Sequence, residues 1–274
     1  MLKLRTDKLA VIGGGSVGPM FVIMLANAAK SDNINLNGFT LHLIDPNQFC
    51  NGGIAYGKCS PRHILNTQRK EMSPWEKGKF EKYLKDNGFE GSEFNFEYRA
   101  TFLRFIQLEY QDALVTLRGA GAVIIEHKEY AFIKKSGDKF RIVNENQEVF
   151  DNTLTQLSAD EILLTVGYGV NNLFKKYWDL DNFVSSMYPH AKLQSVFNRI
   201  RQGDEVMIIG SRAALYDFVM AYDKDPELIN LTIVAPGLDG PLEVREVESE
   251  HLLKELELKS LKSLTKEANV QDIT

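Results

Sequence analysis

The sequence predicts an α/β protein made of a Rossmann-like fold and a second, smaller Rossmann-like unit. Three observations support this prediction. An apolar run at residues 9–12 leads into a glycine-rich turn at 13–18, and a second apolar run ends at Asp45. Near the other end of the chain, the segment 204–209, which is apolar from Val206, leads into a turn at Gly210 in the same way. Strands that alternate with helical segments in this order form parallel sheets.

The first turn carries the pattern G-x-G-x-x-G, with glycines at 13, 15 and 18. Gly13 allows a tight turn, Gly15 lets the backbone approach a pyrophosphate, and Gly18 lets the helix pack closely on the strand. Ser16 and Val17 lie where the helix begins, and free N–H groups at a helix N-terminus favour anions. We therefore predict that Gly13, Gly15, Ser16, Val17 and Gly18 bind a dinucleotide.

The flanks of the turn strengthen this prediction. Residues 19–29 are typical of an apolar helix, and residues 39–44 are typical of a buried strand. Asp45 ends this strand 27 residues beyond Gly18, where a carboxylate accepts hydrogen bonds from ribose hydroxyls. The alternative is an ordinary strand–helix–strand unit whose turn binds nothing.

Between the two units, the sequence predicts helices and then strands. Ser73, Pro74 and Glu76 are typical of a helix start, and the helix is expected to run to Asn87. A longer helix is expected from about residue 99 to 117. Strands are predicted at 122–125, 129–133, 140–143 and 161–169, with a turn at 136–138.

The composition of the chain argues against several classes of partner and against a metal site. The chain has 274 residues, is 44% hydrophobic and carries a net charge of −5. A mildly acidic chain without a basic block argues against nucleic acid and against anionic membranes as partners. Its two cysteines, Cys50 and Cys59, match no zinc-binding spacing, so no metal is predicted. The first strand begins within ten residues, which predicts a cytoplasmic protein without a signal peptide.

The second turn departs from the dinucleotide pattern. Gly210 is the first glycine, but Arg212 and Leu215 replace the second and third. The strand that follows ends at residue 234 without an acid for a ribose hydroxyl. These departures argue against ordinary NAD(P)H binding at this turn.

Several motifs together resemble one family. They are the turn at 11–18, Asp45, the run Gly-Gly-Ile-Ala-Tyr-Gly at 52–57, and His-Ile-Leu-Asn-Thr at 63–67 with Met72. Residues 8–240 resemble the bacterial FAD/NAD(P)-binding family of two-dinucleotide flavoproteins, which is distantly related to flavin-dependent N-hydroxylating monooxygenases. The resemblance implies that FAD occupies the first fold.

The resemblance also implies a domain division. Residues 1–172 would form the FAD-binding domain, 173–245 a degenerate NAD(P)-binding-like unit, and 246–274 an amphipathic C-terminal helix. Two-dinucleotide flavoproteins normally return to the FAD domain after the second unit. This leaves open a minimal form of the fold, or a partner chain that completes it.

Further cofactor contacts follow from the resemblance alone. Tyr56, Asn66 and Thr67 would line the flavin side of the site. Tyr130 lies in a strand like the one that meets adenine, and Gly167 ends a strand like the one beside the flavin. Alternatively, Tyr56 is a packed aromatic residue and Asn66 caps a loop.

No catalytic residue can be assigned from the sequence. His63 and Tyr56 are the nearest candidates for a general base. Arg62, His63, Arg69 and Lys70 either neutralise the cofactor's pyrophosphate or form a solvated polar loop.

Two classes of function remain open. The first is an FAD-dependent oxidoreductase acting on a small molecule that the sequence does not identify. The alternative is a non-catalytic subunit that binds FAD or another adenine nucleotide and acts through a partner protein. An NAD-dependent dehydrogenase is a weaker third hypothesis, and association as a homo-oligomer is also left open.

Overall fold

A four-stranded parallel sheet forms the centre of the first unit. The computed structural model describes residues 6–89, 96–137, 139–144, 157–167, 169, 174–210, 213–222 and 230–234. The strands lie in the order β3-β2-β1-β7, and every neighbouring pair is parallel. Their bounds are β1 Lys8–Ile12, β2 Thr40–Ile44, β3 Val123–His127 and β7 Glu161–Leu164.

Helices cover one face of this sheet. α1 (Val17–Ser31) connects β1 to β2, and α4 (Arg99–Gly119) lies beside it. Their apolar residues recur at helical spacing and pack against Val11, Leu41 and Leu43 of the strands. The helical residues in this core include Val22, Ile23, Ala26, Phe102, Phe105, Ile106, Tyr110 and Leu117. The predicted helix at 99–117 is confirmed.

A small antiparallel sheet covers the other face. It has the order β4-β5-β6, with β4 Phe132–Ser136, β5 Lys139–Val143 and β6 Ser158–Ala159. Ile142, Leu157 and Ala159 pack with Ala10, Ile12 and Ile44 of the central sheet. The two central strands, β1 and β2, are therefore buried between two layers, as is usual in parallel sheets, whereas the outer strands β3 and β7 are half-buried or exposed.

The second unit repeats the strand–helix–strand order on a smaller scale. It contains α5 (Leu193–Arg201), β8 (Val206–Ile209), α6 (Ala213–Ala221) and β9 (Leu231–Val234). The two strands are parallel, and this unit has a hydrophobic cluster of its own around Phe197 and Phe218. The predicted α/β fold class is confirmed. Arg212 and the predicted helix at 246–274 lie outside the described residues, and the domain division stays a prediction.

Several predicted boundaries are wrong. The strand expected at 161–169, for example, ends as β7 at Leu164. The helix expected to start near Ser73 begins as α3 at Lys79 and ends at Asp86. Gly78 precedes it with φ +77°, a left-handed conformation that interrupts any earlier helix. The strand expected at 129–133 is β4, displaced toward the C-terminus, because its pairing with β5 extends only from Phe132 to Ser136.

Short helices connect the longer elements. α2 (Gly53–Tyr56) follows β2, and a 3₁₀ turn covers Arg69–Glu71. Two more 3₁₀ turns, Lys175–Tyr177 and His190–Lys192, precede α5. Within the described part of the chain, no helix is both long and apolar enough to cross a bilayer.

Candidate functional site

The glycine-rich turn lies between β1 and α1, and packing fixes two of its glycines. Gly13 has φ +109°, and a Cβ built there would lie 2.4 Å from the Thr165 carbonyl oxygen. A Cβ at Gly18 would lie 2.3 Å from the Gly13 carbonyl oxygen. Both distances are too short for real atoms, so these positions need glycine for the fold itself.

Gly15 has different surroundings. The nearest atoms to a Cβ built there are the Cα and N of Gly53, at 3.6 and 3.7 Å, which is ordinary van der Waals contact. A Cβ at Gly15 would therefore clash with nothing in the protein. Two glycines from separate segments thus face each other and leave backbone accessible, which suits the close approach of a pyrophosphate.

The N-terminus of α1 adjoins this bare backbone. Ser16 is the N-cap and makes no side-chain capping hydrogen bond, and Val17 begins the 15-residue helix with 59% of its surface exposed. The first N–H groups of a helix have no partner within it and carry partial positive charge. The residues present therefore fit a bound phosphate group.

Asp45 organises the turn at the end of β2. Its Oδ2 accepts a hydrogen bond from the Gly14 N–H at 2.6 Å. Its Oδ1 accepts bonds from the Asn47 N–H at 2.8 Å and from the Asn51 Nδ2 at 3.1 Å. A carboxylate offers about four acceptor positions, so Oδ2 keeps one for a ribose hydroxyl.

Asn51 is a site residue that the sequence did not reveal. Its backbone N–H donates to the Gly14 carbonyl at 3.0 Å, and its Oδ1 accepts from the Gly53 N–H at 2.7 Å. Together with the bond to Asp45, these contacts tie the turn, the acid and α2 together. The only signal was an asparagine directly before two glycines, a common turn sequence.

The ends of neighbouring strands meet at the same edge. The Thr165 hydroxyl donates to the Gly13 carbonyl at 2.6 Å, so the end of β7 is bonded to the first turn. Gly167 follows with φ +79° and is exposed. At the other side, the Asp45 N–H donates to the His127 carbonyl at 3.0 Å, and Tyr130, 63% exposed, lies three residues further on. Gly167 and Tyr130 therefore follow the two outer strands of the sheet, and their contact with a cofactor stays a prediction.

Apolar side chains around the turn are unusually exposed. Val17, Ile54 and Val166 are each more than half exposed, although they follow segments of the buried core. Exposed apolar groups beside a polar cradle are typical of a ligand site. They suit the apolar ring system of a flavin.

For Tyr56, Asn66 and Thr67, the structure gives less support for a contact with the cofactor. The Tyr56 ring packs against Phe102, with ring centroids 5.5 Å apart, which agrees with the packed-aromatic alternative. Asn66 is exposed and Thr67 is half-buried, just beyond the bridge between Ile64 and Tyr98. Their contact with a cofactor stays a prediction.

The interpretation of His63 as a general base is wrong. The ring is fully buried, its Nδ1 accepts from the Ser60 N–H at 3.2 Å, and its Nε2 faces the Asp217 carbonyl at 2.8 Å. These partners fix a neutral ring with the proton on Nε2, and burial lowers its pKa. Neither nitrogen is available to a substrate.

The cationic side chains that were expected to lie together near the cofactor are found in different places. Arg62 donates from Nη1 to the Tyr222 carbonyl at 3.2 Å, which directs it to the second unit. Arg69 pairs with Glu97 at 3.1 Å, and Lys70 is exposed. These side chains do not form one phosphate-binding cluster.

Neither cysteine suits nucleophilic chemistry. Burial raises the pKa of the Cys50 thiol to about 12. Burial also raises the pKa of Cys59, whose Sγ donates to the Tyr56 carbonyl at 3.0 Å. Reactive cysteines need the opposite shift, because the thiolate is the nucleophile.

Comparison with known families identifies the fold that carries this turn. The model of the FAD-NAD(P)-binding family matches residues 10–169, more than half of the chain. The chain belongs to this FAD-NAD(P)-binding family. This match confirms the resemblance predicted from the sequence. It also confirms FAD as the cofactor. The match ends before the second unit, so NAD(P)H at Gly210 stays untested.

No curated protein sequence matches the chain. Solved flavoprotein structures are similar at low identity. Lysine monooxygenase NbtG from Nocardia farcinica is 13% identical, with 83% of this chain and 58% of that chain covered and a TM-score of 0.47. Bacillithiol disulfide reductase Bdr from Staphylococcus aureus is 13% identical, with 85% and 67% covered and a TM-score of 0.43.

The chain spans only part of such proteins. For the flavoprotein disulfide reductase RclA from Escherichia coli, identity is 16% and the TM-score is 0.26. The alignment covers 59% of this chain and 21% of that one.

Proposed function

We propose that this protein is a flavin-dependent oxidoreductase that binds FAD at the first turn. The observation that carries the proposal is the bare backbone of Gly15 facing Gly53 beside the N-terminus of α1. Bound FAD would supply hydride or electron transfer, the chemistry of a flavin cofactor. The family match supports the cofactor, and the substrate is a small molecule of unassigned class.

Each part of the site has a distinct task in this proposal. Gly15 and the first N–H groups of α1 hold the pyrophosphate. Asp45 accepts a ribose hydroxyl on the free position of Oδ2 while its other contacts keep the turn in shape. Ile54 and Val166 exclude water from one side of the ring system, which strengthens polar interactions there.

The first experiment is the absorbance spectrum of the purified protein, which we expect to show a flavin band near ~450 nm. Gly15→Ala tests the cradle, because the new methyl group occupies the phosphate approach without touching the protein. We expect FAD affinity to fall about tenfold or more, with unchanged thermal stability of the FAD-free protein.

Gly119→Ala is the matched control. Gly119 ends α4, has no atom within 4 Å of a built Cβ, and lies away from the turn. It is expected to leave FAD affinity unchanged. A Gly15→Ala protein that retains FAD as well as the control would contradict the assignment of the cradle.

A second candidate function is a non-catalytic FAD-binding subunit that acts through a partner protein. The observation in its favour is Arg212 in place of the second glycine of the second turn. Anaerobic addition of NADH or NADPH to the FAD-loaded protein separates the two candidates. Bleaching of the flavin band favours the oxidoreductase, and a band that persists with both donors favours the subunit.

A further inference from the structure

A buried polar cluster joins the second unit to the first. Arg99 begins α4, Tyr188 precedes α5, and Asp217 lies within α6. The Arg99 Nη2 donates to the Asp217 Oδ2 at 2.7 Å, and its Nη1 donates to the Tyr188 hydroxyl at 2.8 Å. The Tyr188 hydroxyl donates to the same Asp217 oxygen. Arg99 and Asp217 are only 8% and 6% exposed.

The same guanidinium also contacts the border of the FAD site. Its Nε donates to the Ile64 carbonyl at 2.9 Å, and its Nη1 reaches the Ala55 carbonyl at 3.5 Å. Ala55 belongs to α2, whose first residue, Gly53, faces Gly15. Arg99 therefore contacts Ala55 of α2 and Ile64 through Nη1 and Nε, and Asp217 of α6 through Nη2.

Neighbouring hydrogen bonds also connect residues 58–63 to the second unit. His63 donates to the Asp217 carbonyl, and Arg62 donates to the Tyr222 carbonyl at the end of α6. The His190 N–H donates to the Lys58 carbonyl at 2.8 Å. The 58–63 segment is thus anchored at several points to the second unit.

The Arg99–Asp217 pair contributes more to the orientation of the elements that it joins than to the stability of the fold. A buried ion pair is weak evidence for stability, because desolvation offsets its Coulomb attraction. Its directional contacts do, however, define one arrangement of the groups that it joins. Arginine suits this arrangement because its planar guanidinium donates to several acceptors in fixed directions, whereas the lysine ammonium is a single point charge. Burial and the bond to Asp217 raise the pKa of Tyr188 to about 12, so its hydroxyl stays a donor at neutral pH.

We propose that Arg99, Tyr188 and Asp217 are positioning residues that hold α6 in one orientation against α2, at the border of the FAD site. Gly210 lies between β8 and α6, so the orientation of α6 limits where Gly210 lies relative to the first turn. A reductant or partner protein that engages the second unit then meets the flavin from a fixed direction. Loosening the cluster loosens α6 and α2 together.

Hydrogen exchange of the full-length protein tests this proposal through Asp217→Asn. The change keeps the shape of the side chain but leaves the Arg99 charge buried without its counter-ion. We expect exchange in α6 and α2 to become about tenfold faster or more, while exchange in α1 stays within about twofold of the native rate. In FAD-loaded protein, the rate of FAD release is expected to rise as well.

Arg199→Gln is the matched control. Arg199 pairs with Asp204 at 2.7 Å, but both side chains are exposed and lie within the second unit. Losing this pair is expected to leave exchange in α6 and the release of FAD unchanged. Tyr188→Phe removes one contact of the cluster and is expected to give a smaller effect than Asp217→Asn.

The double variant Arg99→Gln with Asp217→Asn distinguishes a specific partnership from general damage. Because both changes break the same contact, the double variant is expected to be no worse than the more damaging single variant. Additive effects, uniform acceleration in α1 and α6, or an α6 that does not respond to Asp217→Asn would each overturn the proposal. A protein that binds no FAD would contradict the proposed function, while the exchange measurements would still decide the role of the cluster.

Discussion

The three glycines of the first turn have different neighbours, so substitution at each one affects a different property. Gly13 and Gly18 are enclosed by backbone atoms, whereas Gly15 faces only Gly53. The motif predicts a separate task for each glycine, but it does not reveal the atoms that enclose Gly13 and Gly18, because these include Thr165, more than 140 residues away in the chain.

Gly18→Ala is expected to destabilise the fold. Alanine normally favours a helix over glycine by about 1 kcal/mol, but here its methyl group would lie 2.3 Å from the Gly13 carbonyl oxygen. We expect the free energy of unfolding in urea to fall by about 2 kcal/mol or more. Gly119→Ala, which meets no atom, should be neutral or slightly stabilising; equal losses in both variants would contradict the packing argument.

Asn51→Ala tests the side chain that links the turn to α2. The change removes the bonds to the Asp45 carboxylate and to the Gly53 N–H, which are partly buried. We expect a loss of about 1–2 kcal/mol in unfolding free energy and weaker FAD binding, measured by fluorescence titration. The control is Asn47→Ala, because Asn47 is exposed and bonds to Asp45 through its backbone only. A similar loss in the control would refute the linking role.

At the scale of elements, helices with a strong apolar stripe were predictable and boundaries set by distant contacts were not. α4 begins where its pattern predicts, since Phe102, Phe105 and Ile106 recur at helical spacing and are buried together. α3 begins later than its capping residues suggest, because Gly78 adopts a left-handed conformation. β4 is displaced because the register with β5 begins at Phe132.

Ser73 has a task that differs from the predicted helix cap. Its buried hydroxyl donates to the Glu76 carbonyl at 2.8 Å and accepts from the Phe80 N–H at 3.3 Å. Ser73→Ala is therefore expected to lower the unfolding free energy by about 1 kcal/mol or more. Ser31→Ala is the comparison, because its hydroxyl also donates to a carbonyl but is exposed. Chemical denaturation of both proteins should show a clear loss only for Ser73→Ala.

In the whole molecule, much of the first site was predictable from the sequence, whereas the contacts between the first and the second unit were not. The turn, Asp45 and the alternation of strands and helices along the chain were predictable because they are local patterns. The contacts of His63, Arg62 and Arg99 with the second unit were not, because they join segments far apart in sequence. The sequence suggested that Arg62 and His63 lie near a phosphate, whereas the fold directs the two side chains to Tyr222 and Asp217.

Stability of the whole molecule should depend on pH through buried histidines. Burial lowers the pKa of His42 to about 4 and also lowers the pKa values of His63, His127 and His190. An unfolded histidine has a pKa near ~6.5, so below that value the unfolded chain binds more protons than the folded one. Stability is therefore full above about pH 6.5 and falls as the pH drops toward 4.

Unfolding free energies at pH 7.5 and pH 5 measure this dependence. After allowance for solvent screening, His42 alone is expected to contribute a loss on the order of 1 kcal/mol over this range. His42→Gln should flatten the profile without changing its direction, since the other three histidines remain. A profile that is flat in the native protein would contradict the burial of neutral histidines.

The ring of His63 also gives this protein a natural spectroscopic reporter. Its Nε2 proton is enclosed between the two units, facing the Asp217 carbonyl, and no part of the ring reaches solvent. In nitrogen-edited NMR, such a proton exchanges slowly with water and gives a signal that a mobile imidazole lacks. Separation of the units would release that proton, so its exchange with water reports on opening between the units with no label attached.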